Sequence, residues 1–186
     1  SAVWVKVLED SEITSTDEEL YQGRNGKVIT DVSGNIYLYY YNSKKSQTTI
    51  VKCTGEGTVL WRKSIGNIAG MDMVALDNGS VVLAGADPVH IKFGMTLYAF
   101  RPNETIDSLN LYPKPSYTIQ YEDNVCLYAM DDNSIVMSGS SPWEPGGPGP
   151  YRNKTFFIKI NPSFQEEWNK NYWFIYPPIT LGWYEY

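Results

Sequence analysis

Side chains that could carry out chemistry are few in this chain, and their spacing fits no common catalytic set. His90 is the single histidine; it lies in the polar segment Asp87–Gly94, and no Gly-x-Ser-x-Gly turn accompanies it. A Ser–His–acid hydrolase needs such a nucleophile turn or an equivalent one. The two cysteines, Cys53 and Cys126, show no metal-ligand spacing, and one histidine does not complete the usual zinc set. We therefore predict no catalytic residue, no metal site and no cofactor.

Carboxylates cluster in the segment Glu9–Leu20, which contains six of them. Clustered oxygen ligands suit calcium, but the fixed ligand spacing of known calcium loops is missing. We favour a solvated loop, in which Thr16 and Glu19 fit a helix capping box. Four of the eight other aspartates sit in predicted hairpin turns: Asp31, Asp77, Asp131 and Asp132. Backbone geometry explains aspartate there, although a glycosidase acid pair formed from residues distant in sequence stays open as an alternative.

The segment Ser140–Asn153 is the strongest candidate for a binding site. Its many proline and glycine residues argue against helix or strand, yet it contains Trp143 and Tyr151, whose rings are unfavourable to expose. Aromatic faces of this kind stack on a sugar or fill a pocket of a protein partner. The alternative is a lid whose aromatic side chains fold back on their own sheet. We take Trp143, Tyr151 and Arg152 as candidate binding residues.

Three Asn-x-Ser/Thr sequons begin at Asn78, Asn103 and Asn153. Asn78 lies inside a predicted tight turn and is a poor acceptor. Asn103 and Asn153 lie in predicted loops, so they are candidate N-glycosylation sites if a glycosylating cell exports the protein.

The charge balance is acidic, with a net charge of −6 and a sequence pI near 4.8. No basic cluster is denser than Lys44–Lys45 or Arg62–Lys63. A nucleic-acid-binding protein needs a basic surface to recruit phosphates, so we predict no nucleic-acid partner. No apolar run approaches the length of a membrane span. The chain starts at Ser1 without a leader, which says nothing about secretion.

A two-part phrase that occurs three times indicates how these residues are positioned. Its first part, a turn followed by an apolar run, occupies residues 31–39, 77–85 and 131–139. Its second part, an apolar run followed by a turn, occupies residues 50–61, 97–108 and 157–168. The turn residues Gly34, Gly79 and Asn133 lie 45 and 54 residues apart. Repeats of roughly 40–50 residues are typical of β-propellers.

Each repeat unit predicts four short strands joined by hairpins. The predicted strands are Lys27–Asp31, Asn35–Tyr41, Thr48–Thr54 and Thr58–Ile65 in the first unit; Met71–Leu76, Ser80–Gly85, Met95–Arg101 and Thr105–Leu111 in the second; and Asn124–Met130, Ser134–Gly139, Thr155–Asn161 and Gln165–Phe174 in the third. Asn, Asp and Gly in the turns tolerate the positive φ of twisted two-residue hairpin loops.

The apolar runs inside these strands are nearly continuous, as in Val81–Ala84 and Ile135–Met137. Strands of this kind are buried on both faces. A propeller blade between two neighbours meets that condition, whereas a sandwich of two sheets shows cleaner alternation. We therefore predict an all-β fold of propeller blades, each with four antiparallel strands. In these strands we interpret Tyr37, Tyr39, Tyr40 and Tyr41 as packing residues.

The predicted blades span residues 21–66, 67–113 and 117–175 of one domain, residues 1–186, with part-blades at 1–8 and 179–186. Three blades do not close a propeller ring. We expect either a fragment of a larger propeller or a fourth blade formed from both termini, and we favour the first. Open strand edges would need a protein partner or further blades to cover them.

The repeats also place Cys53 and Cys126 two units apart. A disulfide requires a Cα separation of about 5.5–6 Å, which these positions do not allow. We expect both cysteines to be buried free thiols.

The phrase from Asp31 to Leu38, followed by Ile50–Gly66, resembles repeats of secreted microbial β-propellers. Those repeats have the pattern D-x-x-G-N-I-Y-L, a Gly-x-Gly turn and V-L-W, similar to the blades of quinone-cofactor dehydrogenases. The resemblance implies an extracellular, non-enzymatic interaction or structural module on a surface, appendage or virion that binds protein or glycan. The alternative is part of an extracellular propeller enzyme acting on glycans, with its catalytic residues outside this chain.

Overall fold

The computed structural model describes residues 26–42, 45–86, 95–111, 125–143 and 152–175. Within these ranges the chain forms twelve β-strands and no helix. The strands are β1 (Gly26–Thr30), β2 (Ile36–Asn42), β3 (Gln47–Cys53), β4 (Val59–Gly66), β5 (Ala69–Ala75), β6 (Val81–Ala86), β7 (Met95–Phe100), β8 (Ile106–Leu111), β9 (Val125–Ala129), β10 (Ile135–Trp143), β11 (Arg152–Ile160) and β12 (Glu166–Ile175).

The strands form three antiparallel sheets of four, each in chain order: blade 1 (β1–β4), blade 2 (β5–β8) and blade 3 (β9–β12). The predicted all-β fold of four-stranded blades is confirmed. The first strand of blade 2 packs beside the first strands of blades 1 and 3, so the three inner strands are neighbours, as around a propeller axis. The predicted part-blades at 1–8 and 179–186 lie outside the described residues.

The six hairpins that join the first two strands and the last two strands of each blade have one turn geometry. In the first, the Gly34 N–H donates to the Asp31 carbonyl and the Asp31 N–H donates to the Asn35 carbonyl, at 3.0 Å each. The third loop residue has positive φ in every case: Gly34, Gly57, Gly79, Glu104, Asn133 and Phe164. These are three-residue loops that end in a bulge, so the prediction of two-residue loops was wrong. Only one residue in each of these turns therefore has the left-handed backbone conformation with positive φ.

Strand β6 shows why the apolar runs are continuous, because all six of its residues are buried. Val81 and Leu83 join a cluster with blade 1, whereas Val82 and Ala84 join another with blade 3. The first cluster contains Tyr37, Tyr39, Ile50, Met73, Val81, Leu83 and Phe100. The second contains Leu76, Val82, Ala84, Met95, Leu97, Ala99, Leu111, Val125, Leu127, Ile135, Met137, Ile158 and Ile160. The prediction that the middle strands are buried on both faces is confirmed for β6, as is the packing role of Tyr37 and Tyr39.

Side chains alternate between the two faces of each blade. We call the face that points toward the following blade the forward face, and the opposite one the backward face. The same names are kept for the equivalent faces of blades 1 and 3.

Strands β10 and β11 extend further than the sequence predicted. They remain paired up to Trp143 opposite Arg152, so the interpretation of residues 140–153 as wholly free of strand was wrong at both ends. Strand β9 pairs with β10 only as far as Gly139. Beyond that residue the described strands give β10 one hydrogen-bonded neighbour, β11, and proline occurs at edge positions of this kind.

Candidate functional site

The structure describes part of the predicted binding segment. Trp143 and Arg152 are Cα partners at the end of the β10–β11 hairpin, so their backbones lie side by side, whereas Tyr151 lies outside the described residues. His90 and the acidic segment 9–20 also lie outside them. The proposed role of Trp143, Tyr151 and Arg152 in binding stays a prediction.

The three sequons lie in different structural surroundings. Asn103 is exposed in the β7–β8 turn, and its Oδ1 accepts hydrogen bonds from the Thr105 N–H at 3.2 Å and the Thr105 hydroxyl at 2.8 Å. Asn78 lies in the β5–β6 turn, where Ser80 is buried. Asn153 lies in β11 and pairs with both neighbouring strands, so its predicted loop position was wrong. An accessible loop favours Asn103 as an acceptor.

The inner strands meet at Asp72 of β5, a buried carboxylate that the sequence analysis did not single out. Its Oδ1 accepts a hydrogen bond from Lys27 Nζ of β1 at 2.6 Å. Its Oδ2 accepts one from the Leu127 N–H of β9, also at 2.6 Å. One side chain therefore connects all three blades. The sequence feature that could have identified Asp72 is its position as a charged residue inside the apolar run from Met71 to Ala75.

A second polar contact holds blade 1 against blade 2. The buried Thr48 hydroxyl donates to the Ile68 carbonyl at 2.7 Å and accepts from the Gly70 N–H at 2.9 Å. Gly70 precedes a bulge in β5, and a Cβ at this position would lie 2.8 Å from the Tyr39 ring. Glycine is required because the two blades approach each other this closely.

Burial and charge change the ionisation of groups at this interface. Burial, and secondarily the negative charge of Asp72, raises the pKa of Tyr39 to about 12. Burial also raises the pKa of Tyr37, together with its hydrogen bond to Asp31. For Asp31 itself burial acts in the raising direction, but hydrogen bonds from Asn35, Tyr37 and Ser33 outweigh it and lower the pKa. Both tyrosines are therefore neutral packing groups over the physiological range.

Further contacts between neighbouring blades involve the later strands and the turns. Trp61 of blade 1 stacks on Phe100 of blade 2 with ring centroids 6.1 Å apart, and Lys63 donates to the Glu104 carbonyl. Between blades 2 and 3, the Asn78 N–H donates to Asn133 Oδ1 at 2.9 Å. The described blades are thus linked by polar contacts at the inner strands, by the Trp61–Phe100 ring contact and by hydrogen bonds at their turns.

The forward face of blade 3 carries two rows of side chains across its four strands. From β9 to β12, one row is Tyr128, Val136, Lys159 and Trp168, and the other is Cys126, Ser138, Phe157 and Lys170. Tyr128 is 68% exposed. Beside the rows, Tyr172 is 50% exposed and meets Phe157 edge to face at 5.9 Å. Among the described strands, no sheet follows blade 3 on this side.

This face differs from the forward face of blade 2, although their positions correspond. Val82, Ala84, Leu97 and Ala99 of blade 2 are buried; Val136, Ser138, Phe157 and Lys159 occupy the equivalent positions of blade 3. Lys170 lies over the Trp168 ring at 5.2 Å, and Lys159 pairs with Glu167 at 3.0 Å. The surface is aromatic and basic on an acidic chain. We therefore take it as the candidate binding surface.

The exposure of Cys126 shows that the prediction of two buried thiols was wrong for one of them. Both cysteines are free, but Cys53 is buried and Cys126 is exposed. Cys126 points to the uncovered side of β9, whereas the expectation of burial assumed that each strand is covered on both faces.

No three residues among His, Cys, Asp and Glu in the described ranges are grouped so that they could hold a metal ion. The described residues also include no helix long and apolar enough to cross a membrane. A comparison of the chain with protein-family models and with curated proteins gave no match.

Proposed function

We propose that this chain is a non-enzymatic interaction module that binds another protein through the forward face of blade 3. The observation that carries the proposal is the difference between the two faces of this blade. Its backward face is buried against blade 2, with Leu127, Ile135 and Met137 in the shared core. Its forward face exposes Tyr128 and Tyr172. Exposed aromatic surface of this kind marks protein-binding sites, in which Tyr, Trp and Phe are enriched.

The geometry of the acids supports binding over catalysis. A glycosidase needs two carboxyl groups about 5–9.5 Å apart around a substrate. Asp72 is the one buried carboxylate in the described ranges, and Lys27 and the Leu127 amide already occupy its oxygens. Its role in holding the blades together explains its burial without a reaction.

The proposal includes an extracellular location on a surface, appendage or virion. It is supported by the resemblance of the repeat to secreted propellers and by the exposed sequon at Asn103. Glycan is the second class of ligand, because Trp168 and Tyr128 present aromatic rings that can stack on sugars.

Cross-linking with an amine-reactive reagent tests the proposal in the secreted fraction of the natural source. Lys170 lies on the forward face of blade 3, and the similarly exposed Lys45 lies in blade 1. We expect cross-links from Lys170 to a second polypeptide, in excess of those from Lys45, when peptides are identified by mass spectrometry. Equal cross-linking at both lysines, together with release of reducing ends from a polysaccharide, would overturn the proposal in favour of a glycan-acting enzyme.

A further inference from the structure

The backward face of blade 1 is buried along β3, although none of the three described sheets lies on it. Thr49 is 5% exposed, Val51 0% and Cys53 4%. Blade 2 packs on the opposite face of blade 1, where Ile50 lies, and neither core cluster of described residues contains Val51 or Cys53. A part of this chain outside the described ranges must therefore cover these residues.

The turn between β3 and β4 is covered as well. Its positive-φ residue, Gly57, is buried. In blade 2 the equivalent turn residue is Glu104, whose carbonyl accepts a hydrogen bond from Lys63 of blade 1. In blade 3 it is Phe164, and Arg101 of blade 2 lies over its ring at 5.4 Å. This turn position contacts the preceding blade in both cases, so the burial of Gly57 indicates a strand that precedes blade 1.

The last strands of blades 1 and 3 share a Trp-x-Lys pair on the forward face. In β4, Lys63 lies over the Trp61 ring at 5.3 Å, and in β12 Lys170 lies over the Trp168 ring at 5.2 Å. The β4 pair contacts the following blade, since Trp61 stacks on Phe100 and Lys63 donates to the next turn. A Trp-x-Lys pair at this position is therefore one way in which a last strand packs on the next blade.

The same pair occurs once more, near the start of the chain. Residues 2–8 are Ala-Val-Trp-Val-Lys-Val-Leu, and residues 59–65 are Val-Leu-Trp-Arg-Lys-Ser-Ile. This alignment places Trp4 and Lys6 at the positions of Trp61 and Lys63. Every residue from 2 to 8 apart from Lys6 is apolar, so packing this segment on an apolar face of a sheet is favourable.

We propose that residues 2–8 form a last strand that packs on the backward face of blade 1, with Trp4 against Cys53 and Lys6 donating to the Gly57 carbonyl. Cys53 is equivalent to Phe100, because each pairs with the first residue of the second strand in its blade. The segment therefore repeats the contact that β4 makes with blade 2. The inference goes beyond the proposed function and does not depend on it.

This contact closes one end of the blade array. Blade 1 is then covered on both faces, and the forward face of blade 3 is the one uncovered end face among the described sheets. Arrays of stacked repeats need a terminal unit that covers their apolar end, because an uncovered one makes the protein insoluble. Residues 2–8 have that role for blade 1.

Thiol reactivity tests the contact, because Cys53 is the thiol that Trp4 covers. In a Cys126→Ser background, which removes the exposed thiol, we expect Trp4→Ala to raise the rate at which Cys53 reacts with dithiobis-nitrobenzoate several-fold. Val5→Ala is the matched control and should leave this rate unchanged, since adjacent residues of a strand point to opposite faces. Equal rates in the two variants would overturn the inference.

Photo-cross-linking gives an independent result if Trp4→Ala does not fold. p-Benzoylphenylalanine at position 4 keeps a large aromatic ring, and irradiation should join it to the tryptic peptide Cys53–Arg62. Cross-links to peptides of blades 2 and 3 alone, or to no peptide of this chain, would overturn the inference. Cross-linking of Lys170 to a second polypeptide is measured separately, so failure here leaves the proposed function standing.

Discussion

Asp72 on the inner strand of blade 2 accepts a hydrogen bond from the Leu127 N–H on the inner strand of blade 3, with an oxygen–nitrogen distance of 2.6 Å. The bond crosses between sheets that share no strand pairing. The second carboxylate oxygen holds Lys27 of blade 1, so a single side chain fixes the relative positions of three inner strands. Apolar packing between blades is non-directional. The two hydrogen bonds of the Asp72 carboxylate are directional, so they fix how the inner strands are aligned with one another.

Replacing Asp72 with alanine should destabilise the protein by roughly 2–3 kcal/mol, because the buried Leu127 N–H loses its acceptor. The Lys27 side chain is 42% exposed, so the loss of that ion pair adds little. The matched control is Asp107→Ala, which removes an exposed carboxylate bound to Arg101 and should cost less than about 1 kcal/mol. Urea unfolding measures both; equal losses in the two variants would contradict the role given to Asp72.

Gly70→Ala should destabilise by about 1–3 kcal/mol, since the added Cβ would lie 2.8 Å from the Tyr39 ring and force the blades apart. Gly66 in blade 1 has no atom within 4 Å of such a Cβ, so Gly66→Ala is the control. We expect thermal unfolding to show a lower Tm for the first variant and an unchanged one for the second. A harmless Gly70→Ala would mean that the interface is looser than described.

Glu104 has a φ of 66° in the β7–β8 turn, a conformation that disfavours side chains with a Cβ by roughly 1 kcal/mol. Glu104→Gly should therefore raise the free energy of unfolding by about 0.5–1 kcal/mol. Glu56 occupies the preceding loop position of the β3–β4 turn and has no positive φ, so Glu56→Gly should give no gain. Equal effects of the two changes would argue against the shared turn geometry.

Raising the pH above 10 should destabilise the folded chain in part through Tyr39. Its folded pKa is raised to about 12 from an ordinary value of 10. The folded state therefore keeps a proton that the unfolded state loses, and its stability falls between about pH 10 and 12. Tyr39→Phe should show a smaller loss of stability over this interval in urea titrations. An identical pH dependence would mean that Tyr39 ionises as freely when folded as when unfolded.

Expression through the secretory pathway of a glycosylating cell should attach a glycan to Asn103. The carboxamide nitrogen would displace the pyrophosphate of a lipid-linked oligosaccharide, with loss of one proton. Intact mass spectrometry should show modification that Thr105→Ala abolishes and Thr105→Ser retains. Asn78, with Ser80 buried, serves as the internal comparison and should stay unmodified; a glycan on Asn78 but not Asn103 would contradict the prediction.

Local signals determined the strands and their turns. The continuous apolar run Val81–Ala84 correctly indicated that β6 is a strand buried on both faces, because blade 2 has a neighbouring blade on each side. Turn residues such as Gly34 and Asn133 have positive φ, a property of the residue type and its immediate neighbours. These signals depend on a few adjacent residues, and this is why the sequence alone indicated four-stranded repeats.

The candidate site could be predicted from the sequence less well than the strands. Trp143 and Arg152 were chosen as residues of an irregular loop, whereas their backbones are paired strand residues. The forward face of blade 3 combines Tyr128, Phe157 and Trp168 from three strands. Its rows depend on strand register, and no single segment of the sequence contains them.

Sequence by itself therefore determined the elements of this protein: short strands, their turns and their threefold repetition. The tertiary structure alone decided which faces are covered. It made Asp72 the link between blades and left its counterpart Cys126 exposed, although both occupy the same position on an inner strand. The physical reason is that burial and hydrogen bonding between blades depend on which sheet packs against each face, and a neighbouring sheet is set by packing over long separations in the chain.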